Sequence, residues 1–573
     1  MKGTECIGLP RGAATTSKIL SNAEIADHLA ALAQLLSADG ENPHKIRAYR
    51  RAAGTIRSLS ESLDELVRSD GDLTTYAGIG KAISGAVREI VLEGSLGSLE
   101  RLRGKVSPEI VAISQHPRLD PKRVLRIYEK LGISSIADLK LALESGEIER
   151  TLGARMAQHI RHGLIDIHAI LLYQSHALRA SIEQFLLERC KAVRAVAVGD
   201  YRRKVEVIEE LVFLIETRDF CETARRCATF GGGISMLKMN DEAASYLLPS
   251  GPILRLQSES KRAWGIGMIR HTGSKRHVAK LARVAGSLLL ERNEPFATEE
   301  AVFKRFHLDF IPPELREGLD EVRRARSGTL PKLIERTDIR GDLHMHTVAS
   351  DGAATLEEMA VAARELGYEY AGISDHSQSL KIANGLSIER LRQQIRVIDK
   401  LNKNLDGIRL LKSAEVDILA DGSLDYPDEI LRELDYTVCS IHSRFGMGRE
   451  DQTERIMRAM DNRYFTILGH ATGRLLLKRP GYEIDLPRLI KHAKQNRCFF
   501  EVNCSPDRLD LSAENARLVR DAGILIAIST DAHRSTELQT IRFGLEQARR
   551  AGLEKSSVLN TLGLSEIIKA FAR

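Results

Sequence analysis

After residue 340 the chain repeats one arrangement. A short apolar run ends in a histidine or a carboxylate, and a helical stretch of ten or more residues follows. That alternation is the signature of βα units on a parallel sheet. DLHMH places His344 and His346 two apart, on one face of a strand. YAGISDH ends in His376, LLKSAEVDI carries Glu415, YTVCSIH ends in His442 and FTILGH ends in His470. CFFEVN ends in Asn503, and LIAISTDAH supplies Asp531 and His533. In a barrel of parallel strands the C-terminal strand ends converge on one face. One histidine after a strand is more often a satisfied structural residue than a ligand. Recurrence on strand after strand has no such bland explanation. Imidazoles and carboxylates without thiolates suit zinc, manganese or iron.

The remainder of the chain reads differently. Its 573 residues imply several domains. From about Ala23 to Ile170 the pattern is helical. AEIADHLAALAQLLSADG, for example, carries apolar residues at three and four spacings and ends at Gly40. From about Arg194 to Leu290 strand-like runs (RAVAVG, LVFLIET, GPILRLQ) alternate with helices, and LDFIPPELREG is a proline-punctuated turn. The expected divisions are a loose extension at 1–20, a helical region at 21–175, a mixed α/β region at 176–325, a polar link at 326–340 and the βα region at 341–573. No apolar run is long enough to span a bilayer, and MKGTECIGLPRGAATTSK has no apolar core of the kind a secretory leader needs. The seven cysteines form no CxxC pair, so neither a disulfide framework nor a cysteine zinc site is expected, and a reducing cytoplasm fits. The net charge of +6 permits a nucleic-acid partner without demanding one.

The region from DLHMHT onward resembles a PHP (polymerase and histidinol phosphatase) domain, a distorted seven-stranded barrel holding up to three metal ions. The resemblance implies that His344, His346, Glu415 and Asp531 hold one ion, with Glu415 bridging to a second on His442 and His470. It places Asp351, in VASDG, with His376 and His533 on the third. His344, His346, Glu415 and Asp531 would be the catalytic set, and Asn503 a pocket residue rather than a ligand. The implied chemistry is metal-dependent hydrolysis of a phosphoester with manganese or zinc. Arg444, Arg474 and Lys381, near candidate ligands in sequence, could neutralise phosphate oxygens or be plain surface charges.

Near the other end, ENPHKIRAYRRAAGTIRS concentrates Lys45, Arg47, Arg50, Arg51 and Arg57, and AGIGKAISGAVREI sets Gly78 and Gly80 at a tight turn before a helix that begins at Lys81. The second segment resembles a helix-hairpin-helix, whose amides receive a DNA phosphate. Together the two resemble the lyase-like domain of family-X DNA polymerases. The resemblance implies that Lys45 and Tyr49 help hold a 5′-phosphate. The family's Schiff-base lysine falls at Ala86, so lyase activity is not expected. HPRLDPKR, from His116, and RTLGARMAQ, from Arg150, read as eroded hairpin copies.

GDYRRKVEVIEELVFLIET, from Gly199 to Thr217, resembles the family-X palm motif, in which Gly-Ser-x-Arg-Arg leads to a strand with Asp-x-Asp. Gly199, Tyr201, Arg202 and Arg203 match. The triphosphate-contacting serine is Asp200. The metal aspartates fall at Glu210 and Val212, and the third, on GPILRLQSES, at Arg255. Two-metal transfer needs carboxylates on one strand face, and none of the acids after Arg203 forms an i, i+2 pair.

The whole therefore resembles a bacterial-type family-X DNA polymerase with a C-terminal PHP domain: a multidomain α and α/β chain with a helix-hairpin-helix region, a nucleotidyltransferase-like palm and a distorted (β/α)7 barrel. The expected activity is 3′→5′ exonucleolytic hydrolysis on DNA gaps or 3′ ends in repair, with synthesis lost. A working gap-filling polymerase/exonuclease, a small-molecule phosphatase and a non-enzymatic DNA-binding scaffold remain as alternatives. The oligomeric state is not legible.

Overall fold

The computed structural model describes residues 19–105, 108–109, 111, 121–153, 156–157, 160, 169–248, 251–285 and 296–572. The extension through residue 18 and most of HPRLDPKR lie outside them, as does part of RTLGARMAQ.

The helical region starts where its capping chemistry permits. Ser21 accepts from the Glu24 amide while Glu24 reaches back to Ser21, which closes a capping box over the helix Asn22–Asp39. Gly40 ends that helix with φ 82, a left-handed conformation that costs glycine little. Ile25, Leu29, Leu32 and Leu36, three and four apart, form its buried stripe. The next helix, Pro43–Ser58, opens on an Asn42 cap with proline at its first position. It buries Ile46, Ala52, Ala53 and Ile56. Lys45, Arg47, Arg50 and Arg51 stay exposed.

The mixed region is built on one sheet. Its strands are Arg194–Val198 (β1), Glu210–Glu216 (β2), Ser235–Met239 (β3), Ala243–Leu247 (β4) and Ile253–Ser258 (β5), in the order β1-β2-β5-β4-β3. β2 and β5 run parallel, with Val212 opposite Arg255. The helix Leu172–Glu188 sends Leu178, Ile182 and Phe185 into the same core as Phe213 and Leu256. The expected boundary at 175 thus falls inside a helix that belongs to this sheet. The sequence shows no strand before residue 170, yet Ile170–Leu171 pairs antiparallel with Val207–Ile208. β3 also escapes a reading by hydrophobic periodicity, because all of its residues are exposed and no buried face alternates.

The C-terminal region comprises Gly341–Met345 (β6), Tyr370–Ile373 (β7), Arg409–Lys412 (β8), Glu415–Asp417 (β9), Val438–Ser440 (β10), Ile467–Leu468 (β11), Phe499–Asn503 (β12) and Ile526–Ser529 (β13). β8-β7-β6 and β9-β10-β11-β12-β13 are parallel sheets. Bridges from Met345 to Ala532 and from His376 to Glu415 join them into a ring. With β8 and β9 taken as one strand broken at Ser413–Ala414, the ring is a distorted (β/α)7 barrel.

The expected link at 326–340 is not a free connector. Ile334 and Ile339 are buried in the barrel's core. Leu333 bridges to Glu554, and the Ile334 amide donates to the Leu553 carbonyl at 2.9 Å. The helix Ile541–Arg550 docks the barrel on the palm: Lys204 pairs with Glu546 at 2.9 Å, Gln547 donates to the Lys204 carbonyl at 2.9 Å, and Arg549 meets Glu314 at 2.7 Å.

Candidate metal centre

Parallel strands end on one face of the ring, and the side chains singled out from the sequence meet there. Glu415, buried, lies at the middle. One oxygen, Oε1, is 2.9 Å from His470 Nε2 and 3.3 Å from His442 Nε2. The other, Oε2, is 2.9 Å from His376 Nδ1, 3.5 Å from His344 Nε2 and 3.6 Å from His346 Nε2. Asp531 Oδ1 lies 3.1 Å from His346 Nε2 and 3.6 Å from His344 Nε2. Asp351 reaches His533 Nε2 at 3.4 Å and His376 Nε2 at 3.5 Å.

These atoms divide into metal-sized groups: His344, His346 and Asp531; His346, Asp351, His376 and His533; and His376, Glu415 and His442. The expected partition differs in three respects. Glu415 groups with His376 and His442 rather than with His344, His346 and Asp531. His346 and His376 each belong to two groups, and His470 approaches only through Glu415. Among the described residues, no such group lies before residue 340.

A metal fits here on the state of the protein's own atoms. Buried polar groups ordinarily have partners. His344 Nε2, His346 Nδ1, His376 Nδ1 and Glu415 Oε2 are buried without a hydrogen-bond partner, and each lies within 4 Å of another group of the cluster. Electrostatics agree. Burial alone would lower His376, but Glu415 and Asp351 push it up to about 10. Burial is likewise outweighed at His442, pushed up to about 9 by Glu415 and Asp417, and at His533, pushed up to about 9 by Asp351 and Asp531. Glu415 and Asp531 are held well below the carboxylate range by the surrounding imidazoles, against the opposing effect of burial. The acids here seek positive charge, which divalent cations would supply.

Two groups that orient this set were not singled out from the sequence. Glu501 accepts from His344 Nδ1 at 2.7 Å and from the His470 amide at 2.8 Å. Asp417 takes His442 Nδ1 at 2.5 Å. Each fixes a tautomer that turns Nε2 towards the centre. Period two would have found both: Glu501 precedes Asn503 by two on β12, and Asp417 follows Glu415 by two on β9. Glu501→Gln and Asp417→Asn should each weaken metal binding by about ten- to a hundredfold. Competition against a chromophoric chelator measures this, and unchanged affinity would mean that the carboxylates do not set the ligands.

Behind the site, Asp342 accepts from Thr530 Oγ1 at 2.5 Å and steadies the turn into Asp531; burial raises this carboxyl to about 6. Asp375 holds the Asp351 loop through the Thr347 amide at 2.8 Å and the Thr347 hydroxyl at 2.6 Å. Asn503 donates to Asp531 Oδ2 at 3.0 Å. Of the phosphate candidates, Arg444 and Lys381 are exposed, whereas Arg474 is drawn away to Glu206. A guanidinium that the sequence reading passed over, Arg508, stands 3.8 Å from Asp531 Oδ2.

The residues singled out in the helical region share a surface without forming a closed site. Lys45 pairs with Glu41 at 2.8 Å, Arg50 reaches Gln34 at 3.4 Å, and Tyr49 packs half-buried on the core. Gly78 has φ 86, and Gly80 caps the helix Lys81–Glu93 without a side-chain acceptor, so its first amides face outward beside exposed Lys81. Ala86 is buried in that helix.

In the palm, Arg255 Nη2 lies 2.5 Å from Glu210 Oε1, with Val212 in the adjacent register position. Asp200 accepts from Arg203. Arg202 is spent on Glu299 at 2.5 Å, and Arg203 donates to the Thr272 carbonyl at 2.7 Å.

The chain is similar to known proteins along most of its length. A helix-hairpin-helix domain model matches residues 20–96, and a PHP domain model matches residues 342–505. The DNA polymerase/3′-5′ exonuclease PolX of Bacillus subtilis (strain 168) is 33% identical over 561 residues, covering 94% of this chain and 97% of that protein. A probable phosphatase of Thermoanaerobacter sp. (strain X514) is 30% identical over 231 residues, 38% of this chain and 89% of its own length. A probable phosphatase of Vibrio campbellii is 25% identical over 233 residues, 39% of this chain and 88% of its own length.

Proposed function

Because the chain belongs to the bacterial-type family-X DNA polymerases that carry a C-terminal PHP domain, we propose that it is a metal-dependent phosphodiesterase that trims DNA from 3′ ends or gaps, its polymerase-like half serving to hold the substrate. The observation that carries this reading is the cluster of unpartnered imidazole and carboxylate atoms around Glu415, in a chain whose other end bears a helix-hairpin-helix and an exposed basic helix.

His344, His346 and Asp531 would hold one ion, with Glu415 joining from the next group, and His376, Asp351, His442, His470 and His533 would complete the others. Divalent ions bound there, manganese or zinc, supply Lewis acidity to water and to phosphoester oxygens. The protein's own residues do the rest. Glu501 and Asp417 keep Nδ1 protonated and Nε2 free on His344 and His442. Asn503 orients Asp531 by hydrogen bonding to Oδ2. The burial of Glu415 excludes competing water from the carboxylate shared among the imidazoles. No serine or cysteine nucleophile is required.

The palm would hold DNA without extending it. A cation of the protein itself, Arg255, neutralises Glu210 where metal carboxylates are needed. A small-molecule phosphatase has no use for an exposed basic helix and an amide-lined turn on another domain.

The helical region should bind DNA through the backbone, so affinity for a gapped duplex should fall steeply with salt as counterions are released. Charge reversal at Lys45 and Arg50 should weaken binding alike across sequences, as fluorescence anisotropy would read. Salt-independent binding would move the DNA grip elsewhere. The activity itself is tested with an end-labelled gapped duplex and manganese or zinc, with and without nucleotides. Shortening supports the proposal, extension restores the polymerase reading, and an unchanged duplex even without chelator leaves only a scaffold.

A further inference from the structure

The palm and barrel meet through a carboxylate that is part of neither site. Glu206 lies just before the palm's second strand and is largely buried between two barrel guanidiniums: Arg474 Nη2 at 2.9 Å and Arg550 Nη1 at 3.3 Å. Burial alone would raise its carboxyl, but the two arginines outweigh it and hold it below the usual range. Arg474 is the informative partner, because it follows the candidate ligand His470 by four residues and its other contacts run back to the metal centre. Its Nε donates to the Arg508 carbonyl at 3.0 Å, and Nη2 also donates to the Leu509 carbonyl. The same loop is tied at Asp510, which accepts from the Thr472 amide and hydroxyl at 3.0 Å each. It is tied again at Asp507, whose carboxylate receives the hydroxyl of the palm's Tyr173 at 3.3 Å.

What the loop presents is Arg508. Its Nε stands 3.8 Å from Asp531 Oδ2, beyond hydrogen-bond distance, and its side chain keeps 22% exposure. A planar guanidinium with several donors, near the metal carboxylate yet not consumed by it, suits an incoming phosphate oxygen. Resting on the phosphodiester-hydrolysing reading of the barrel, we infer that Glu206 of the palm is a positioning residue for that reaction. It holds Arg474, Arg474 fixes the Arg508–Leu509 peptides, and Arg508 is thereby aimed to receive a non-bridging oxygen of the scissile phosphate. The palm then serves the barrel mechanically as well as by holding DNA.

The test is a double-mutant cycle on the full chain with a labelled gapped duplex and manganese. Glu206→Gln should lower kcat roughly tenfold, the lower end of what outer-shell partners cost, with DNA Kd and bound metal unchanged. Arg508→Ala should cost more, and Arg508→Lys should recover part of the loss. Combining Glu206→Gln with Arg508→Ala should be no worse than Arg508→Ala alone, because the first acts only through the second. A role confined to holding the domains together would instead add its penalty in both backgrounds and lower the melting temperature, which overturns the inference. Should Glu206→Gln fold poorly, Glu206→Asp, still charged but a methylene shorter, reads the same path. Wild-type kcat in that folded variant and additivity in the cycle each count against it. An active unsubstituted protein with an indifferent Glu206 overturns this inference alone. An unsubstituted protein inert towards DNA with manganese and with zinc overturns both it and the reading beneath it.

Discussion

Asp531→Ala protein, and equally His344→Ala, should leave an end-labelled gapped duplex intact in manganese or zinc while binding it as tightly as the unsubstituted chain. The loss in rate should be at least about a hundredfold, since even outer partners of metal ligands cost up to that much. Asp531 touches both His344 and His346 through one oxygen and accepts from Asn503 through the other, so its removal takes the carboxylate out of one metal-sized group. Binding should survive because the basic helix Pro43–Ser58 and the turn at Gly78 lie in another domain. Denaturing gels give the rate and anisotropy gives the affinity. Unaltered digestion by purified Asp531→Ala protein would remove the active site from the barrel.

The second large effect is an absence of synthesis. In the Asp531→Ala background, where degradation cannot mask extension, no primer should lengthen with magnesium or manganese at any enzyme excess. Nucleotidyl transfer develops charge on attacking and leaving oxygens, and two ions held by carboxylates on one strand face stabilise it. Here Glu210 faces Arg255 at 2.5 Å, Val212 offers no ligand atom, and Asp200, which already occupies Arg203, stands where the family's triphosphate-contacting serine would fall. Nucleotide binding should be correspondingly weak by calorimetry. Arg255→Asp alone should achieve nothing, because Val212 still leaves the set incomplete. Template-directed extension that follows the protein through purification would overturn this account.

The barrel was legible because its chemistry and its fold share one period. Each apolar run that makes a strand also ends in the residue it delivers, so His376, His442 and His470 announce strand and site together. Glu501 is inconspicuous because it sits inside its apolar run, where an acid looks like a lapse in the pattern, and Asp417 because it ends a three-residue strand that Glu415 already opens with a carboxylate. Arg508 could not be read at all: its place beside Asp531 comes from a long-range tie between loops, Thr472 to Asp510 and Arg474 to the Arg508 carbonyl. The palm strands β1, β2 and β5 carry apolar cores and were visible, while β3, exposed throughout, had no signal to give. The boundary near residue 175 was misplaced for a related reason. A helix packed on a sheet looks, in sequence, like one more helix of the domain before it.

The seating of Ile334 and Ile339 in the barrel core bears on how substrate can travel. A slack tether would let one half swing over the other and carry a strand end from sheet to barrel. Here the tether is itself a piece of the barrel wall, and unseating those two side chains would forfeit about 3–6 kcal/mol of apolar burial. Lys204, Glu206 and Glu314 add polar ties across the same junction. Palm and barrel are therefore joined without slack, and a DNA end held by one would reach the other only by sliding or by release and recapture, with the distance between them setting how many nucleotides would have to be unpaired to make the trip.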